Sequence, residues 1–253
     1  MPDNNIKNKN TYYAIGDIHG RLDLLKNITT LIIKDIKLNN ISSPILVFLG
    51  DYIDRGPESK KVIEFLLEIK QKFKCIFLMG NHEDLLLKFI EDPQKLAVLI
   101  INGGIETLTS YGITKEQMQS CQKDPENKKN NQFIHNLFLK LAPHSHIKFF
   151  QNELKLYYET ENHIFVHAGI RSGINLNKQT KQDLLWIREP FLNESIKENT
   201  DNKPLKLIIH GHSITSAPDI HNHRIGIDTG AYHSNKLTAI VLNKHKKHYF
   251  LNT

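Results

Sequence analysis

Three times before residue 84, a short apolar run breaks at a glycine followed by an acid or an amide, and a helical pattern then begins. Tyr12 to Ile15 ends at Gly16-Asp17-Ile18-His19-Gly20, Ile45 to Leu49 at Gly50-Asp51-Tyr52-Ile53-Asp54-Arg55-Gly56, and Cys75 to Met79 at Gly80-Asn81-His82-Glu83. Apolar runs of this length, rich in β-branched and aromatic side chains, are too short for independent helices and suit strands covered on both faces. After the first break, Leu22, Leu24, Leu25, Ile28, Leu31, Ile32 and Ile36 recur at helical spacing. Val62, Phe65, Leu66 and Ile69 do so after the second, and an apolar helix from Leu85 to Ile90 follows the third. Repetition of strand, polar loop and helix predicts parallel strands whose loops converge on one edge, where open α/β sheets bind ligands.

From Asp92 to about His146 the pattern turns to helical pieces with polar punctuation, including NGGIETLTSYG and DPENKKNNQ. This stretch is expected to be a helical insertion or cap within a single domain spanning residues 1–253. Downstream, Leu154 to Tyr158 and His163 to Val166 read as neighbouring strands, the second ending at His167-Ala168-Gly169. A short helix is expected near Asp183 to Ile187, and Leu205 to Ile209 ends at His210-Gly211-His212. Arg224 to Asp228, Leu237 to Leu242 and His248 to Leu251 resemble antiparallel strands separated by turns. Two β-rich halves with helices outside predict an α/β fold in which a central β-sandwich is flanked by helices, an αββα layering.

Composition narrows the class. With 253 residues and 40% hydrophobic content, the chain can bury a substantial core as one large domain or two small ones. No apolar run approaches the roughly 20 residues that span a bilayer, and MPDNNIKNKNTYY lacks the apolar centre of a secretory signal. A globular cytoplasmic protein with no membrane partner is expected, with Cys75 and Cys121 as reduced thiols. The net charge of +6 permits attraction to phosphate-bearing partners. Its basic residues are nevertheless spread along the chain, with the main local excess in the C-terminal KHKKH and no stripe interleaved with aromatics, so nucleic-acid binding is not expected.

The strand ends carry the chemistry. Asp17, His19, Asp51, Asn81, His167 and His212 offer oxygen and imidazole ligands without a thiolate, a set suited to manganese, iron, zinc or nickel. An aspartate alone in such a loop reads as a helix N-cap, and an asparagine alone as a turn residue. Together they exceed what one structural ion takes from protein, and two divalent ions sharing Asp51 is the natural reading. Such a pair, about 3.5 to 4 Å apart, is a device for hydrolysing phosphoesters.

In order along the chain, GDIHG, GDYIDRG, GNHE, HAG and GH match the signatures of the phosphoprotein phosphatase (PPP) family of metallophosphatases, with Ile53 where the family pattern has valine. LLWIREPFL and RIGIDTGA also resemble its bacterial members. The resemblance implies a calcineurin-like metallophosphoesterase fold and two metal ions, manganese first among the candidates. It assigns Asp17, His19 and Asp51 to one ion and Asp51, Asn81, His167 and His212 to the other. It also implies in-line hydrolysis without a phosphoenzyme, with His82 protonating the leaving group and Asp54 orienting its imidazole. Arg55 and Asn81 contact the phosphate in this scheme. Arg188 in WIREP is the second phosphate arginine, Arg224 is its competitor, and Glu83 stands behind the ligands.

The leading expectation is dephosphorylation of phosphoserine and phosphothreonine in proteins, with phosphotyrosine and small phosphoesters as further substrates. The competing enzyme is a symmetrical diadenosine tetraphosphate (bis(5'-nucleosyl)-tetraphosphate) hydrolase. Bacterial members of that group tend to lack the acid at the Asp54 position and to carry GNHD, so Asp54 and Glu83 favour the phosphatase. A catalytically dead binding module is disfavoured because the whole ligand set is retained. Among the other histidines, His210 reads as structural or as support behind the ligands, and His221 and His223 as residues of a loop able to reach the site rim. His135, His144, His146, His163, His233, His245 and His248 read as surface residues. Asp228 reads as a turn residue or a support for the site, and Trp186 as core packing rather than a base-stacking platform.

Overall fold

The structure is a computed structural model and describes residues 10–118, 124, 127–193, 206–243 and 248–253. Residues 1–9, Cys121, Pro125 and Glu126 of DPENKKNNQ, Leu205, and the first four residues of KHKKH, including His245, lie outside the described residues.

The apolar runs form β1 (Thr11–Ile15), β2 (Pro44–Phe48) and β3 (Lys74–Leu78). They are parallel, with Ile15 beside Phe48 and Phe48 beside Phe77, so their polar loops leave at the same level. The expected helices follow as α1 (Leu22–Leu38), α2 (Ser59–Ile69) and α3 (Asn81–Glu91). Next come α4 (Leu96–Leu99), α5 (Ile105–Ser110), α6 (Lys128–Leu141) and α7 (His144–Asn152). Leu108, Tyr111, Ile134, Phe138, Phe149 and Phe150 of this region join the core that α1 to α3 build against the first sheet. His135 and His146 are therefore buried rather than on the surface. One faces the Ile90 carbonyl at 2.9 Å, and the other meets the Tyr111 hydroxyl at 2.9 Å.

The expected strand Leu154 to Tyr158 is two strands. β4 (Leu154–Lys155) extends the first sheet beside β3, and β5 (Tyr157–Glu159) pairs with β6 (His163–Val166) in a second sheet. The chain changes sheet at Leu156, which packs on the outer face of the second sheet. The stretch LKLYY carries no glycine or proline to mark such a crossing. The short helices α8 (Lys181–Trp186) and α9 (Glu189–Leu192) precede β7 (Leu207–His210), β8 (Asp219–Ile220) and β9 (Arg224–Gly226). β9 runs parallel to β7 rather than forming an antiparallel series with the last strands. A connection bearing α10 (Ala231–Ser234) carries the chain back to the first sheet, where β10 (Thr238–Leu242) pairs antiparallel with β1 and β11 (Tyr249–Asn252) with β10.

The sheets are ordered β11-β10-β1-β2-β3-β4 and β5-β6-β7-β9-β8. Strand alternation sends Tyr12, Ala14, Ile45, Val47, Ile76 and Leu78 inward, against Phe165, Ile209 and Ile225 of the opposite sheet. The alternate residues Tyr13, Ile15, Leu46 and Phe48 face the helices of one outer layer, and Ile164, Val166 and Ile208 face Leu184, Ile187 and Phe191 of the other. Full burial stabilises by about 1.5 to 3 kcal/mol per large aliphatic or aromatic side chain. Both faces of both sheets are thus covered, giving the expected αββα layering. No helix among the described residues is long and apolar enough to cross a membrane.

Candidate metal centre

The carboxyl ends of β1, β2, β3, β6 and β7 open on one edge, where loops of the two sheets are bonded together. The His212 backbone N–H donates to Asp17 Oδ2 (3.0 Å), Gly211 N–H to the His167 carbonyl (2.8 Å), and His167 Nδ1–H to the Leu49 carbonyl (2.9 Å). Among the described residues, seven non-glycine positions have positive φ, and His19, Asp51, Asp54, Arg55 and His212 are five of them. Left-handed backbone costs energy for such residues and persists only where the surroundings enforce it. Gly80 and Gly211 allow the tight approach, since a Cβ on either would lie 2.1 Å from Oδ1 of Asp51 or Asp17 respectively.

Asp51 stands at the middle. Its carboxylate lies 3.5 Å from His19 Nε2, 3.5 Å from His167 Nε2 and 3.8 Å from His82 Nε2. Ligand atoms of Asp51, His19 and His82 lie within 4.8 Å of one another, and so do those of Asp51, His167 and His212. Burial works against the charge of Asp51, and its Oδ1 accepts the His82 backbone N–H at 3.1 Å. Burial lowers His19 and His212 to about 3 and lowers His167 as well, which keeps these rings neutral. Burial and the neighbouring Asp228 and Asp51 raise Asp17 well above its ordinary value.

Donor orientation supplies a test of whether cations fit. His19 and His167 give their Nδ1–H to the carbonyls of Ile53 (2.8 Å) and Leu49 (2.9 Å), so each turns an Nε2 lone pair inward. The His167 lone pair then faces Asn81 Oδ1 at 2.9 Å, and the same oxygen lies 2.9 Å from His212 Nδ1. Lone pairs this close repel, and a cation accepting both reconciles them. Asp17 Oδ1 is buried without a hydrogen-bond partner. Carbonyl-backed neutral imidazoles, converging carboxylates and an orphaned oxygen fit two divalent ions sharing Asp51.

His82 differs. Its Nδ1 lies 2.7 Å from Asp54 Oδ2, while Nε2 is buried without a hydrogen-bond partner. Glu83 is fully buried and accepts backbone N–H groups of Asp51 (2.8 Å), Tyr52 (2.8 Å), Ile53 (3.4 Å) and Gly80 (2.9 Å), fixing the second loop against the third. Burial and Asp51 push its pKa up to about 8, yet N–H donors on both oxygens favour the carboxylate, and the geometry is that of the charged form. Arg55 places a guanidinium nitrogen 3.2 Å from His19 Nε2, and Arg188 Nε lies 3.3 Å from His212 Nε2.

Every expected ligand and both expected arginines therefore meet at one edge. Arg224 does not. It is buried on the far side of the second sheet, bonded to Asp219 (2.5 Å) and the Leu192 carbonyl (3.0 Å). His210 also points away and packs edge-on against Phe191 at 5.0 Å. Asp228 takes the expected turn role, accepting Gly230 N–H (2.9 Å), and its charge lies near enough to Asp17 to raise that carboxyl. Trp186 is only half-buried and meets His212 edge-on at 6.1 Å. Sequence reasoning missed Tyr232, which lies edge-on to His19 at 5.5 Å beneath the Arg55 guanidinium at 4.9 Å. It also missed Thr107, which bonds Asp54.

The profile of the calcineurin-like phosphoesterase family matches residues 11–245. A relative from Oceanobacillus iheyensis, named bis(5'-nucleosyl)-tetraphosphatase PrpE (asymmetrical), is 28% identical over 243 residues, covering 89% of this chain and 86% of its own. A Bacillus cereus relative of the same name is 28% identical over 248 residues, covering 90% and 89%. Among solved structures, a provisionally assigned diadenosine tetraphosphatase superposes with a TM-score of 0.61 at 16% identity, covering 100% of this chain and 96% of its own. The cold-active protein-tyrosine phosphatase of a psychrophilic Shewanella gives 0.51 at 15% identity, covering 97% and 83%. At these identities the structures establish the calcineurin-like fold alone.

Proposed function

The chain belongs to the calcineurin-like phosphoesterase family and is a metallophosphoesterase, and we propose that its substrates are dinucleoside polyphosphates, a bis(5'-nucleosyl) tetraphosphate being cut unequally into a nucleoside monophosphate and a nucleoside triphosphate. The hydrolytic part rests on one observation, the two ligand clusters that share the buried Asp51. The relatives' names support the dinucleotide rather than the phosphoprotein that was the leading expectation, and they support unequal cleavage rather than the symmetrical reaction of the competing expectation. Asp54 and Glu83, which favoured a protein phosphatase at the level of motif, are both fully buried. One holds His82 and the other holds backbone N–H groups, so neither faces what lies beyond the phosphate and neither reads it.

Asp17, His19 and Asp51 would hold one divalent ion, and Asp51, Asn81, His167 and His212 the other. Manganese suits this nitrogen and oxygen set. Bound there, the pair would offset charge on the phosphoryl group and lower the pKa of a water nucleophile. Arg55 and Arg188, on opposite flanks, grip phosphoryl oxygens, and a planar guanidinium can hold two at once. Asp54 fixes His82 with Nδ1–H outward from the site and Nε2 inward, where it delivers a proton to the departing oxygen. Burial opposes a charge on His82, but Asp51 and Asp54 raise its pKa, as an acid requires. That backed imidazole also favours a second activity on phosphomonoesters, whose alkoxides need a proton more than a phosphoanhydride's leaving group does.

The test is product analysis. Metal-free protein reconstituted with manganese is offered diadenosine tetraphosphate and a phosphoserine peptide separately. AMP and ATP from the dinucleotide, at a rate exceeding release from the peptide, are expected. Two ADP would overturn the unequal cleavage, and preference for the peptide would overturn the substrate class.

A further inference from the structure

Asp54 is held from two directions. His82 Nδ1 lies 2.7 Å from one carboxylate oxygen, and the Thr107 hydroxyl donates to the other at 2.5 Å. Thr107 comes from α5, in the helical region after α3, 53 positions away in the chain. Its oxygen also accepts the Asp54 backbone N–H (2.8 Å) and stands 3.0 Å from the Ser59 hydroxyl, which itself accepts that N–H at 3.1 Å. Asp54, Ser59, His82 and Thr107 are all fully buried. A hydroxyl has a single proton, and a contact this short to a carboxylate is a charge-assisted hydrogen bond, so that proton belongs to Asp54. Valine would fill the same volume. The hydroxyl is thus not demanded by packing, and Leu108 already anchors α5 in the core.

We propose that Thr107 is a positioning residue for proton delivery. It holds the Asp54 carboxylate in one rotamer, so that Nδ1–H of His82 stays on Asp54 and Nε2 stays aimed at the departing oxygen. The same region holds Arg55, whose backbone N–H donates to the Gly103 carbonyl at 3.1 Å. The stretch that reads as a cap in the sequence thereby completes the acid. The inference rests on the role given to His82 above and not on the identity of the dinucleotide.

Thr107→Val and Thr107→Ser, reconstituted with manganese, are compared on phenyl phosphate, a poor leaving group, and p-nitrophenyl phosphate, a good one. Thr107→Val is expected to lower kcat on phenyl phosphate by about 10- to 100-fold and on p-nitrophenyl phosphate by about 3-fold or less, with KM and manganese content unchanged. Serine is expected to restore the rate. In an Asp54→Asn background the valine should cost nothing further, because Thr107 acts through Asp54. Equal losses on both esters, no rescue by serine, or additive losses would overturn the proposal. If the valine variant does not fold, Thr107→Ala against Thr107→Ser makes the same comparison. A protein that ignores dinucleotides but shows the leaving-group split loses the substrate reading and keeps Thr107. One that cleaves dinucleotides with equal losses does the reverse.

Discussion

His19 and His82 stand edge to face, 4.7 Å apart, and both turn Nε2 toward Asp51, yet the surroundings behind them differ. Behind His19 is the carbonyl of Ile53, and burial lowers the ring to about 3. Behind His82 is the carboxylate of Asp54, backed in turn by Thr107 and Ser59, and its pKa is raised although burial opposes the charge. A carbonyl leaves an imidazole neutral with a lone pair to offer, whereas a carboxylate lets it keep a proton to give. Residue type and distance from Asp51 do not distinguish the two histidines. The partner of the remote nitrogen does, and under the proposed mechanism it divides the cluster into a metal-holding region and a proton-holding region.

The strongest way to break this comparison is to remove what both regions share. Asp51→Asn weakens the group between the two ligand clusters and is expected to cost about 10⁴-fold or more in rate, together with loss of bound manganese measured by elemental analysis. Two ions retained per chain would contradict a shared carboxylate.

A smaller effect sharpens the metal-holding side. Burial and the neighbouring Asp228 and Asp51 raise Asp17, and burial pushes Asp228 up to about 6, so in metal-free protein these groups carry protons in mild acid. The buried ligand imidazoles are lowered and carry none. Cations displace protons from raised carboxylates, so manganese affinity should fall as pH falls, with net proton release on binding. Calorimetry at pH 6 in buffers of different ionisation enthalpy measures that release. Zero release would mean that the carboxylates are already ionised without metal.

Much of this was legible in the chain because the ligand loops repeat one local grammar. Strand, glycine and acid recur at β1 and β2, strand, glycine and amide at β3, and each break is local enough to read from spacing. Parallel pairing of β1, β2 and β3 and the αββα layering follow from the same repeats. What escaped depends on tertiary packing. No glycine or proline in LKLYY marks the change of sheet at Leu156, and β9 and β10 look like hairpin partners until the connection bearing α10 is seen to carry the chain across. Thr107 is a threonine in an amphipathic helix with no spacing relation to GDYIDRG, and Tyr232 reaches His19 only through the loop after β9. His135 and His146 are buried by helices whose packing faces the sequence had left open.

The division between the two kinds of histidine is tested most directly by counting metal in His82→Asn. His82 brings a nitrogen within ligand distance of Asp51 and His19, so geometry alone permits it to be a ligand. If it is the proton donor, the variant keeps two manganese ions per chain while turnover of alkyl phosphates falls by about 10²- to 10⁴-fold. Loss of one ion in step with activity would place His82 among the ligands and contradict the account.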